Sequence, residues 1–120
     1  MSKLTTHVLD TAKGSPAAGV KIEIWWISQV LPDRGLIKTI VTNADGRTDE
    51  PLLSGNDFQV GIYELIFDVG PYFKLDGEKS DGRVVFLDRI PVRFGISEIS
   101  KPYHVPLLVS PWAYSTYRGS

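Results

Sequence analysis

Apolar and polar side chains alternate with a period of two along most of this chain, and that periodicity predicts strands. At the start, Leu4, Thr6, Val8 and Asp10 share one face, and Thr5, His7, Leu9 and Thr11 the other. After a cluster of breakers, Ala12-Lys13-Gly14-Ser15-Pro16, a second run sets Val20, Ile22, Ile24 and Trp26 against Lys21, Glu23 and Trp25. Leu31 to Gly35 reads as a turn and Leu36 to Thr42 as a third strand. Asn43-Ala44-Asp45-Gly46 then supplies residues that tolerate positive φ in a tight turn. Arg47 to Leu52 predicts a short strand interrupted by Pro51, and Val60 to Asp68 a strong one. Pro71 to Asp76 is the one helix candidate, with Pro71 at its first position and Gly77 at its end. Arg83 to Phe94 reads as a long strand, in which Pro91 implies an edge or a bulge. Tyr103 to Val109 and Trp112 to Arg118 complete the pattern, separated by Ser110-Pro111.

About eight short strands and one short helix predict an all-β fold, a two-sheet β-sandwich. Strand-to-helix alternation is missing, which argues against a doubly wound α/β fold. Repeats, linkers and low-complexity stretches are missing too, so residues 1–120 read as one domain. The hydrophobic fraction, 42%, is that of a globular chain rather than a disordered one. Thirteen Lys and Arg against fourteen Asp and Glu leave a net charge of −1 with no basic stripe, which disfavours nucleic acid or an anionic membrane as partner. No cysteine is present, so disulfides, thiolate zinc sites and a cysteine nucleophile are excluded. Neither a signal-peptide-like run nor a membrane-spanning stretch is seen, and a cytoplasmic protein is the simplest expectation.

The two histidines, His7 and His104, both lie on the less apolar side of their strands. A histidine taken singly is more often structural or solvated than catalytic, and two strand positions in one small domain shift that balance only modestly. Arg47 follows the Asp45-Gly46 turn. It reads either as a solvated turn residue or as a guanidinium fork at a strand start, suited to a planar anionic or carbonyl-rich ligand. Toward the C-terminus, Trp112, Tyr114, Thr116 and Arg118 alternate with Ala113, Ser115, Tyr117 and Gly119. That pattern fits a well-paired last strand or a segment lining a site. Ser120 lacks the glycine-flanked elbow of a serine nucleophile. No metal-ligand spacing and no phosphate-cradling glycine loop is evident.

Leu4-Thr5-Thr6-His7-Val8-Leu9-Asp10-Thr11 with Gly14-Ser15-Pro16-Ala17-Ala18-Gly19-Val20 resembles the N-terminal motif of transthyretin-like proteins. Thr42-Asn43-Ala44-Asp45-Gly46-Arg47-Thr48 resembles their central motif, and the stretch from Tyr103 to Ser120 their C-terminal signature. His7, Arg47, His104 and Tyr117-Arg118-Gly119-Ser120 match the hydrolase branch rather than the hormone carriers. The resemblance implies a transthyretin-like sandwich that forms a homotetramer with sites between dimers. It also implies hydrolysis of 5-hydroxyisourate, a product of urate oxidation, to an imidazoline ureido acid without a cofactor. By the same resemblance His7, Arg47 and His104 are the catalytic group, and Tyr117, Arg118, Gly119 and Ser120 hold the substrate. The rival expectations are a non-enzymatic carrier of small aromatic ligands on the same fold, and a structural module that docks with other proteins.

Overall fold

The computed structural model describes residues 2–75 and 84–119. Among the described residues ten strands run β1 (Leu4–Thr5), β2 (Val8–Asp10), β3 (Ser15–Pro16), β4 (Lys21–Ile27), β5 (Arg34–Val41), β6 (Gly61–Asp68), β7 (Arg89–Ile96), β8 (Tyr103–His104), β9 (Leu107–Val109) and β10 (Tyr114–Thr116). One short helix, α1 (Gly70–Leu75), follows β6, and a 3-10 turn spans Gly55–Asp57. The strands form two four-stranded sheets, ordered β5-β4-β6-β7 and β10-β9-β2-β3, with the small ladder β1-β8. This is the expected all-β architecture, with more and shorter strands than the hydrophobic runs suggested.

Between the sheets lies a core that includes Leu4, Val8, Ile22, Ile24, Leu65, Phe67, Ile90, Leu107 and Val109. Burying each such side chain contributes roughly 1.5–3 kcal/mol. On β2 and β9 the alternation reads directly as burial: Val8, Asp10, Leu107 and Val109 point inward, while Leu9 and Leu108 are half-buried on the outer face. Asp10 is buried but fully engaged, accepting the Ala12 and Lys13 amides (3.0 and 3.1 Å) and the Tyr72 hydroxyl (2.7 Å). Thr42 clamps the start of β4 in the same way, donating to the Ala17 carbonyl and accepting from the Val20 amide.

Four sequence expectations are corrected. Arg47 to Leu52 is not a strand: the Asp45 and Arg47 amides bond instead to Asn43 Oδ1, and Pro51 has no amide to offer a ladder. Ser15–Pro16, read as breakers, pairs with β2 once Gly14, at φ 73°, has turned the chain. Trp26, grouped with Ile22 and Ile24, is 44% exposed while Ile27 is buried; the register against β5 shifts between Ile24 and Trp25. The turn before β5 is Ser28–Asp33, closed by the Ser28 amide on the Asp33 carbonyl, so Arg34 and Gly35 are already strand. Of the long strand expected from Arg83, β7 covers Arg89–Ile96, and it lies at a sheet edge, as Pro91 required. Arg83, Asp76 and Gly77 fall outside the described residues. Among the described residues no helix is long and apolar enough to cross a membrane.

Candidate functional site

The two ends of the chain pair in parallel. β1 lies against β8 with Thr5 opposite His104, and β2 against β9 with Val8 opposite Leu107. Pro106 interrupts the strand expected over Tyr103 to Val109, because it has no amide to donate. The register continues across the break through the Val105 amide on the Thr5 carbonyl (2.9 Å) and the Leu107 amide on the His7 carbonyl (3.0 Å). Since Leu4, Thr6 and Val8 face the core, Thr5 and His7 are left on the outer face with His104, all three half-buried.

Arg47 reaches the same place through its turn. The Val8 amide donates to the Gly46 carbonyl (2.8 Å), which docks the Asn43–Arg47 turn beside His7. Gly46 sits at φ 73°, and a Cβ there would collide with the Val8 carbonyl oxygen. Only glycine permits this approach. Arg47 remains exposed and makes no ion pair with any described residue.

The tail closes the other side. Gly119 forms an antiparallel bridge with His104, its amide donating to the His104 carbonyl at 2.7 Å. The Arg118 guanidinium lies 4.2 Å over the Tyr103 ring, whose hydroxyl accepts from the Ser97 amide (3.0 Å). Tyr117 is 58% exposed, and β10 is exposed along its length, so in one copy of the chain these aromatics are not buried. Ser120 lies outside the described residues.

Two clefts are lined by residues that touch His104, Thr5 in one and Gly119 in the other. One, of about 220 Å³, is lined by Lys3, Thr5, Thr6, Arg47, Thr48, Asp49, Glu50 and Pro51; the other, of about 390 Å³, by Lys101, Pro102, Arg118 and Gly119. Burial, then the charges of Arg47 and His7, hold the His104 imidazole below its ordinary pKa of 6.5, so it is neutral at pH 7 and able to accept a proton. Thr5 Oγ1 lies 2.9 Å from His104 Nδ1, a contact the sequence reading missed. The signal for it was present, because alternation already placed Thr5 on the face of His7. Among the described residues no group of three or more His, Cys, Asp or Glu is placed to hold a metal ion.

Residues 4–119 match the model of the HIUase/Transthyretin family. The chain is 52% identical over 118 residues to 5-hydroxyisourate hydrolase 2 of Rhizobium meliloti, covering 98% of this chain and 96% of that one. Its fold is similar to the crystal structure of (S)-allantoin synthase (TM-score 0.89, 49% identity), covering 99% of this chain and 44% of that one. It is also similar to the Klebsiella pneumoniae 5-hydroxyisourate hydrolase (TM-score 0.76, 34% identity, 100% of both chains). With the sandwich, the paired termini and the full-length match all in agreement, the chain belongs to the HIUase/Transthyretin family.

Proposed function

We propose that His7, Arg47 and His104 form the active site of an enzyme that hydrolyses 5-hydroxyisourate, with Tyr117, Arg118, Gly119 and Ser120 contacting the substrate. The observation that carries this reading is the parallel pairing of the first and last segments, which gathers two histidines beside an arginine that has no ion pair with a described residue. The hydrolase activity itself rests on full-length relatives of about half identity that are hydrolases of this substrate. Opening a cyclic acyl ureide requires a base for water, a donor for the developing oxyanion, and groups that orient a flat ring. A neutral histidine supplies the base, and the Arg47 fork holds the ring oxygens and the oxyanion. Water gives a proton to imidazole and its oxygen to the carbonyl carbon. As the ring C–N bond breaks, the leaving nitrogen takes that proton back.

Residues 1–120 act as one domain in this reading, in the cytoplasm and as a homotetramer with sites at the dimer-dimer interface. Exposed Phe86, Trp112, Tyr114 and Tyr117 support assembly, since such aromatics are enriched where subunits meet. The carrier alternative fits the fold equally well, but a polar site of two histidines and an arginine suits an apolar aromatic ligand poorly. The test generates 5-hydroxyisourate from urate and urate oxidase, then follows its absorbance with and without the protein. Decay faster than the spontaneous rate, lost in His104→Asn, is the expected result. Decay at the spontaneous rate from a folded protein turns the reading to the carrier.

A further inference from the structure

His104 is held at two points, both next to its Cγ atom. Thr5 Oγ1 lies 2.9 Å from Nδ1. On the other side Gly119 packs so closely that a Cβ would lie 2.9 Å from Cδ2 and 3.3 Å from Cγ. The Cε1–Nε2 edge is the remainder of the ring, and Nε2 has no hydrogen bond to a described residue. Thr5 cannot drift, because its own backbone is fixed: its carbonyl accepts the Val105 amide, and it sits opposite His104 in the β1–β8 ladder.

We propose that Thr5 is a positioning residue for the reaction: its hydroxyl fixes the His104 imidazole so that Nε2 is the nitrogen that takes and returns the proton. The proposal rests on reading His104 as a proton-handling group. A hydroxyl both donates and accepts. When Nδ1 carries its hydrogen, Oγ1 accepts it and Nε2 presents a lone pair to water. Proton transfer from water to Nε2 leaves the Nδ1–H bond to Oγ1 in place, and Nε2 then protonates the leaving nitrogen. A carboxylate at this position would add a negative charge and favour imidazolium; threonine adds none. The charged and titratable groups that act on the ring are Arg47 from the turn and His7 from the segment before β2; on neighbouring elements Arg118 lies over Tyr103, and Lys3, Asp49 and Glu50 line a cleft with Thr5.

The experiment compares Thr5→Val, which keeps the shape but loses the hydroxyl, with Thr5→Ser, which keeps the hydroxyl, and includes His104→Asn as control. Thr5→Val is expected to lower kcat on the order of tenfold with KM within about twofold, and to move the acid limb of kcat to lower pH. Thr5→Ser is expected to return kcat to within about threefold of the parent. Should Thr5→Val fail to fold, Thr5→Cys takes its place, since a thiol is a weak partner. A kcat for Thr5→Val within twofold of the parent overturns the proposal. So does a loss confined to KM, which makes Thr5 a substrate contact, and so does a Thr5→Ser variant as impaired as Thr5→Val. If His104→Asn stays active, the reading of His104 itself falls; if it is inactive while Thr5→Val is normal, only the role of Thr5 does.

Discussion

The two sheets of the sandwich treat their outer faces differently. On β5-β4-β6-β7 the strands are seven or eight residues long, and two acidic residues, Glu23 and Glu64, have cationic partners. Glu64 lies between Arg34 (3.3 Å) and Arg93 (3.0 Å), and Glu23 meets Arg89 (2.8 Å) and the Trp25 indole (2.9 Å). Arg34 in turn stacks over Trp25 at 4.3 Å. On the side that carries β1, β8, β2 and β9 the strands are two or three residues long, and His104 on β8, His7 just before β2 and the exposed Arg47 of the neighbouring turn stand there without such neutralisation. On one side Glu23 and Glu64 are matched within the chain; on the other His7, His104 and Arg47 make no ion pair with a described residue. Arrangements that leave polar groups available are common at sites selected for chemistry rather than for stability.

The sharpest way to break this contrast is at the available charges. Arg47→Lys keeps the charge but loses the fork, and kcat/KM is expected to fall roughly 10²–10³-fold with little change in melting temperature. A large drop in melting temperature in the same variant would make Arg47 a structural residue and remove the distinction. Gly46→Ala comes next. Positive φ and the collision with the Val8 carbonyl are expected to cost about 2–3 kcal/mol, read from the denaturant midpoint, with activity lost as Arg47 and His7 move apart. Gly119→Ala pushes against the His104 ring. It should reduce kcat on the order of tenfold while stability changes by no more than about 0.5 kcal/mol.

Acidification probes the same face without mutation. With His104 as the base, its depressed pKa means that kcat/KM declines at a lower pH than an ordinary imidazole would give, as the ring is protonated. Because the folded chain binds this proton less readily than the unfolded one, the stability contribution is full above 6.5 and is lost as pH falls through the folded value. Arg47→Gln removes a repelling cation and should raise the His104 titration toward 6.5, as followed by NMR. The smallest effect is expected on the neutralised face. Arg93, 59% exposed, shares the buried Glu64 carboxylate with Arg34, so Arg93→Ala leaves one partner in place and should cost about 1 kcal/mol with kcat unchanged.

What the residues revealed in advance follows from what a period of two can encode. It assigns faces, and so it placed Thr6, Val8 and Asp10 inward and His7 and His104 outward, and Pro91 pointed to an edge. It does not encode which strand pairs with which. The parallel ladders that bring Thr5 to His104 depend on closure over most of the chain; the residues alone raised His7, Arg47 and His104 as candidates for one polar site, and the family resemblance gave them their expected role. The expected strand after Arg47 failed for a local reason: Asn43 Oδ1 takes amides that a ladder would otherwise use. Trp26 failed because a change of register lies beyond any alternation count.

The pairing of the two ends has a consequence in time. Thr5 and His104 are separated by 99 residues, so their ladder is among the most entropically costly closures the chain makes. Contacts of that span form late, and during synthesis the partner of Thr5 emerges only after the strands of the β5-β4-β6-β7 sheet. In a refolding experiment the core around Ile24 and Phe67 should therefore be protected from hydrogen exchange before catalysis returns, with turnover serving as the clock for the final closure.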